Sequence, residues 1–392
     1  MTRRALVVGA GIGGLAAALG LARQGLEVEV FERAPRLQEF GAGLQLTPNA
    51  TRALARLGGL DSARAAAMSP RAVRVLRGAD SAELARLSVA EAERRWGAPY
   101  LTIHRVDLHQ ALADAAAATG AVALHFDSEV VGVVSEPDGA AVVVRRGGNE
   151  NREPGEAIVG ADGLRSLVRG ARGVSDAPRF SHRVAFRATV EAAWVAPRWR
   201  ENEVTLRLGP RAHLVHYPLR NGAIVNLVAV IESSWRGAPG DDPWDGEADR
   251  AALDRAFRDW SDDARDLIAA AQRWRAWPLM LRPPLDRFAF GRMALIGDAA
   301  HPMTPFLAQG AAQAIEDAEA LARQLGARQD AVTALAAYSS DRAERANRVQ
   351  REATMQGRIY HLTGPFALAR DLTMRVLGPE GMLRRLDWLY AG

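Results

Sequence analysis

The chain has 392 residues, 48% of them apolar, and balances 50 basic against 46 acidic side chains for a formal charge of +4. That length suits two interleaved domains around a sizeable core. The sequence contains neither cysteine nor lysine, which excludes disulfides, thiolate metal centres, cysteine nucleophiles, Schiff-base catalysis and lysine-dependent Walker phosphate loops. All positive charge is therefore arginine. It alternates with acids, as in "DRAALDRAFRDWSDDARD" from Asp249, a pattern of solvated helix faces and not of a nucleic-acid surface. No apolar run reaches the length of a membrane span, and "MTRRALVVGAGIGG" enters a glycine turn where a signal peptide would stay apolar. The expected location is cytoplasmic, and no metal site is expected.

From its start the chain reads as a buried strand, a glycine turn, a small-residue helix and a second strand over Glu27–Phe31, a βαβ unit. Gly9, Gly11 and Gly14 form a GxGxxG: one glycine for the tight turn, one for close approach to a pyrophosphate, one for helix packing on the strand. Glu32 ends the second strand, where a carboxylate takes the hydroxyls of an adenosine ribose. Either NAD or FAD suits such a site.

A helix is expected from Ala50 to Leu57, then alternating stretches to about Leu87, a helix through "DLHQALADAAAA", and two strands around Val130 and Val142. "EAIVGADGLRS" is again a strand meeting a glycine turn. From Arg183 to Ile231 the alternation has period two, which predicts an antiparallel sheet inserted into the first domain. In "AHLVHYPL", His213, Val215 and Tyr217 share one face and His216 takes the other. "GAPGDDPWDGEAD", residues 237–249, reads as a loop, "GRMALIGDAA" as a returning buried strand, and the remainder as helices broken near Gly378. The predicted fold is α/β with an α+β insert. A Rossmann-like cofactor domain takes residues 1–72, 98–180 and 278–350, the substrate domain 73–97 and 181–277, and a helical C-terminal region 351–392.

"GDAAHPMTPFLAQGAAQAIEDA", from Gly297, points to a flavin. Asp298, at a strand end, is placed to accept a ribityl hydroxyl. The helix starting near Gly310 and Ala311 has no bulky side chain in its first turn, so its N–H groups can reach the ring edge where charge accumulates on reduction.

These three motifs together ("GAGIGG" with "FER", "GADGLRS", and the run from Gly297), supported by "HRVDLHQAL", "HLVHYPLRNGAIVNLVAV" and "LDWLY", make the chain resemble the single-component FAD-dependent aromatic hydroxylases. The likeness is greatest to the salicylate hydroxylase and 3-hydroxybenzoate 6-hydroxylase group. It implies FAD as cofactor, NADH or NADPH as transient co-substrate, and hydroxylation of a small phenol or hydroxylated heteroaromatic ring through a flavin C4a-hydroperoxide, with decarboxylation open. It implies further that Glu32 and Arg33 lie at the adenosine end, and that Val130 touches adenine through its backbone. Arg105 would meet the ribityl and pyrophosphate, Gly43 and Leu44 would flank the flavin ring, and Asp162 would serve both nucleotides unless it only caps the next helix. His213 is the expected base or substrate orienter and Tyr217 its hydrogen-bonding partner, the pairing seen in hydroxynicotinate-type hydroxylases. Val215, Pro305 and Phe306 would wall the substrate pocket. His301 is expected to shape a turn.

Two departures stand out: the lack of a polar residue near Pro305, which some relatives carry, and Leu281, where many carry an aspartate that would pair with the next arginine. Trp274 and Trp277 do not have the spacing of the halogenase signature, and the lysine of that chemistry is absent. Rival readings are an epoxidase or natural-product tailoring oxygenase of the same fold, and a flavin-binding redox sensor or docking module without turnover. Monomer and homodimer are both open.

Overall fold

The computed structural model describes residues 3–37, 42–173, 176–234 and 249–391; most of the loop expected at 237–249 lies outside them. Its centre is a six-stranded sheet in the order β17-β18-β11-β1-β2-β7. The strands are β1 (Arg4–Val8), β2 (Glu27–Phe31), β7 (Val122–His125), β11 (Ala157–Gly160), β17 (Ala289–Phe290) and β18 (Met293–Leu295). All neighbours run parallel except the β17–β18 hairpin. Because β1 is covered on both faces, Ala5, Leu6 and Val7 are fully buried and the strand reads as an unbroken apolar run. The strands anticipated around Val130 and Val142 are β8 (Glu129–Ser135) and β9 (Ala140–Arg146), which with β10 (Asn149–Gly155) form a three-stranded sheet contributing Val142 and Val144 to the same core.

Two long helices pack beside the central sheet: α1 (Ile12–Arg23) and α9 (Gly310–Ala327). A Cβ on Gly13 would come 3.2 Å from Ala314, and one on Gly20 would come 2.8 Å from Ala322. Starts meet starts and ends meet ends, so the helices run parallel at a distance only small residues permit. The same cofactor domain contains α2 (Pro48–Leu57), α3 (Leu60–Ala65), α5 (Arg105–Ala117) and α6 (Leu167–Gly170).

The second sheet has seven strands, in the order β16-β12-β15-β14-β13-β4-β5. They are β4 (Ala72–Arg77), β5 (Glu83–Ser88), β12 (Arg179–Glu191), β13 (Val204–Gly209), β14 (Ala212–Leu219), β15 (Ile224–Glu232) and β16 (Arg275–Leu281). Only β13 and β4 pair in parallel. One face of the sheet, with Phe186, Leu214 and Leu227, packs on α7 (Arg250–Phe257) and α8 (Asp262–Ala270) through Leu253, Phe257 and Leu267. The opposite face turns to the cofactor domain. A ribbon of β3 (Gly43–Leu46) and β6 (Leu101–His104) lies between the sheets, and α4 (Ala92–Trp96) follows β5.

The chain closes with α10 (Ala331–Tyr360), α11 (Gly364–Arg384) and α12 (Asp387–Tyr390). Gly378, at φ +61°, interrupts α11 ahead of Pro379, as the "GPE" triplet predicts. Beside Leu281, Arg282 finds another acid: its Nη1 is 3.0 Å from Asp176. The fully buried Arg169 shares that carboxylate and donates to the carbonyls of Ala299 and Ala300 at 3.1 and 2.7 Å, anchoring the turn that carries Asp298.

Candidate active site

At the glycine turn, Gly9 has φ +98° and a Cβ there would sit 2.6 Å from the Ala161 carbonyl oxygen; a Cβ on Gly14 would strike the Gly9 carbonyl at 2.0 Å. Gly11 differs, since a Cβ there meets nothing within 4 Å among the described residues. Two glycines allow the backbone to close on itself and the third leaves room above the first N–H groups of α1, which is where an anion is stabilised. Glu32 accepts the N–H of Ala10 on one oxygen and of Ala34 on the other, both at 2.9 Å. This ties the turn to the end of β2, while spare lone pairs remain on both oxygens. Arg33 beside it is exposed. The Ser128 N–H bonds to the Glu32 carbonyl at 2.9 Å, so β8 and Val130 start alongside, with a bulge between Val130 and Gly132.

The run from Gly297 supplies the other end. Gly297, at φ +57°, donates to Asp317 at 3.0 Å and opens a single helical turn to Ala299 that projects Asp298. Asp298 is exposed, yet burial still raises its carboxyl above the ordinary value, against the pull of His301, Arg105 and Arg187. Both facts hold for a group on the floor of a concavity, reached by solvent from one side and walled by protein on the others. Ahead of α9, the Gln309 amide donates to Thr47 at 2.9 Å and accepts from Asn49 at 3.0 Å, both bonds fully buried. These bonds fix the start of α9, where a Cβ on Gly310 also meets nothing within 4 Å among the described residues and no acid sits in the first turn. Because α1 and α9 run parallel, the open ends at Gly11 and at Gly310 and Ala311 share one side of the molecule. Two helix N-termini, Glu32 at one extreme and Asp298 at the other form a cradle suited to a dinucleotide with a polar chain and an electron-accepting ring. The residues present fit FAD.

Asp162 is used locally. It accepts from Ser166 Oγ at 2.5 Å and from the N–H groups of Leu167 and Val168 at 2.7 and 3.2 Å, capping α6; burial raises its carboxyl while these bonds act the other way. His301 is bound into a buried cluster in which Asp317 meets His301 at 2.5 Å and Arg342 at 2.8 Å.

Across from the cradle, β14 places His213, Val215 and Tyr217 on the sheet face turned to it. Tyr217 lies so near Gly43 that a Cβ there would come 2.7 Å from its hydroxyl, and Asn226 accepts the Gly43 N–H at 2.7 Å. Leu44 is half-buried against the cofactor-domain core. Val215 and its cross-strand neighbour Val228 are only half-buried, and Arg187 is next in the same row. The Arg187 guanidinium lies 5.4 Å from the Trp277 ring centre. Sequence reasoning missed this residue; in "VAFRATV" it falls in phase with Ala185 and Thr189 on the second face of the strand, where a cation is unremarkable. His213 sits deeper, 3% exposed, with Nδ1 2.9 Å from His361 Nε2 and its ring centre 5.3 Å from that of Phe306. Burial, then His361 and Arg183, push this imidazole well below its usual pKa. Phe306 is packed against Gly357 and Tyr360, and Pro305 begins the turn that leads into α9. His361 and Gln309 are the other residues the sequence did not reveal.

A dinucleotide cradle facing an antiparallel sheet defines a flavoprotein of the oxygenase type, and the comparisons place it more narrowly. Residues 2–353 match the family described as FAD binding domain. The chain is 38% identical over 396 residues to 3-hydroxybenzoate 6-hydroxylase 1 of Aquipseudomonas alcaligenes, covering 100% of this chain and 98% of that protein. It is 38% identical over 391 residues to 3-amino-4-hydroxybenzoate 2-monooxygenase of Streptomyces cremeus, covering 99% and 94%. The Klebsiella pneumoniae HpxO complex with FAD and uric acid has the same fold, with a TM-score of 0.88 over 100% of this chain and 97% of that one at 24% identity. The chain belongs to the FAD binding domain family and is an FAD-dependent aromatic monooxygenase. Among the described residues no helix is long and apolar enough to cross a membrane.

Proposed function

We propose that this monooxygenase hydroxylates a small phenol that also carries a carboxylate, using NAD(P)H as reductant and O2 as oxygen source in the cytoplasm. The observation behind this reading is Arg187, a cation set in the apolar Val215–Val228 row between His213 and Tyr217. In such surroundings a guanidinium pairs far more strongly with a carboxylate than it does in water. FAD, when bound, supplies the reduced ring that activates oxygen.

The chain's own groups do the rest. Gly11 and the α1 N–H groups receive the pyrophosphate, Glu32 the ribose with Arg33 beside it, and the Val130 backbone the adenine. Asp298 would accept from the ribityl chain, and Arg105 would meet that chain and the pyrophosphate. Gly43 and Leu44 would flank the ring, and the N–H groups of Gly310 and Ala311 would stabilise the charge it gains on reduction. Asp162 holds the α6 turn where the reductant passes. Tyr217 donates a hydrogen bond to the substrate, His213 Nε2 takes the proton of its hydroxyl, and Pro305 and Phe306 close the pocket. Withdrawing that proton drives electron density onto the ring carbon to be attacked.

The test is Arg187→Met assayed by NADH oxidation and product analysis. KM for 3-hydroxybenzoate should rise at least about tenfold, the loss expected when one partner of a desolvated charge pair is removed. KM for uncharged phenol should hold. Equal KM values for 3-hydroxybenzoate in variant and parent would end the carboxylate reading.

A further inference from the structure

His213 lies in a wall of Ala185, Val230 and Phe306 with Tyr360 against it, where an added positive charge is costly. A base so placed must pass its proton on. Among the described residues its Nδ1 has one partner, His361 Nε2 at 2.9 Å, and its Nε2 has none. His361, 4% exposed, ends α10 and is held by the Arg211 N–H donating to its carbonyl at 3.2 Å. Its outer nitrogen, Nδ1, is 3.5 Å from Glu232 Oε1 and 3.5 Å from Arg183 Nε. Glu232 is 38% exposed and lines an open cavity of about 470 Å³ with Arg183 and Arg211.

We propose that His213, His361 and Glu232 form a proton relay that carries the substrate's hydroxyl proton from the active site to solvent at the far edge of the sheet. The relay rests on His213 being the base. The substrate O–H bond breaks as its proton joins His213 Nε2. The proton on His213 Nδ1 passes to His361 Nε2, and the one on His361 Nδ1 passes to Glu232 and then to water. Only N–H and O–H bonds are exchanged, both imidazoles change tautomer, and neither is left charged. The two contacts at His361 Nδ1 suit this alternation, since Glu232 favours the tautomer with a proton there and Arg183 the one without. Burial, Arg183 and Arg370 hold the His361 pKa down at about 3, so a resting imidazolium is avoided. The charged and titratable groups around the pair are Arg183 from β12, Arg211 from the turn before β14, Glu232 from β15, Tyr360 from α10 and Arg370 from α11.

The experiment uses FAD-loaded enzyme and 3-hydroxy-4-nitrobenzoate, whose phenolate absorbs visibly, mixed by stopped flow in H2O and D2O. His361→Gln keeps the packing but relays no proton; it should slow phenolate formation about tenfold or more and change its pH profile, with probe affinity and flavin reduction nearly unmoved. Free imidazole should restore the rate in His361→Ala. Glu232→Gln should give a smaller loss. Parental rates in both His361→Gln and Glu232→Gln would overturn the relay, and if the His361 variants fail to hold FAD, an unaltered Glu232→Gln overturns it alone. His213→Ala separates the two ideas. A parental rate there removes the base assignment, whereas loss there with no loss in His361→Gln removes only the relay.

Discussion

Three glycines in one turn have different reasons to be glycine, and substitution separates them. Gly14→Ala drives a methyl into the Gly9 carbonyl, so the turn must open; the apoprotein should lose roughly 1–3 kcal/mol of stability in thermal melting, and the purified enzyme should carry less FAD. Gly11→Ala fills only the space above the helix start, so FAD should bind at least about tenfold more weakly while the apoprotein melts as before. His213→Ala should lower hydroxylation about 10²–10⁴-fold, the usual worth of a placed base, and leave NADH-driven flavin reduction close to the parental rate. The glycines were legible because their spacing sets local backbone geometry, and the shared face of His213 and Tyr217 because strand alternation fixes it. Arg187 and His361 were not. The contact of His361 with His213 joins positions 148 apart, and nothing in either neighbourhood announces it.

At the scale of elements, α9 is held twice, by buried amides at its start and by Asp317 about two turns further in. Asp317 reaches the Gly297 N–H, His301 and Arg342 at once. Replacing it with asparagine takes one of two carboxylates from the buried Arg342, which keeps only Glu316, and removes the acceptor of His301, and about 3–5 kcal/mol of stability should disappear in urea unfolding. The carboxyl also carries a pH signature. Burial would raise it, but His301 and Arg342 prevail and hold it at about 2. A depressed carboxyl contributes stability in full above its unfolded value near 4 and loses it as pH falls through about 2. The parental melting temperature should therefore fall more steeply between pH 4 and pH 2 than that of Asp317→Asn. Small residues in "GDAAHPMTPFLAQGAAQAIEDA" made the open start of α9 legible. That α1 would be the neighbour, and run the same way, follows only from sheet order.

Over the whole molecule, polar ties between the cofactor domain and the second sheet include the Gly43–Asn226 bond and an Arg220–Asp107 pair at 2.7 Å. A ligand seated between them stabilises both by mass action. FAD at a hundredfold its Kd should add about 2.7 kcal/mol and shift the melt as one transition. A split melt, with only one phase responding, would show the sheets to be uncoupled. The sheet that faces the flavin cradle is completed by a hairpin from far upstream, β4 and β5, whose parallel pairing to β13 no local pattern could announce. Residues 179–281 moved alone into a relative would leave the outer rim of β13 bare of partners, a surface that recruits strands from other molecules. Grafting a new specificity onto this scaffold therefore means transplanting two distant stretches at once, and variants that inherit only one should precipitate before they can be assayed.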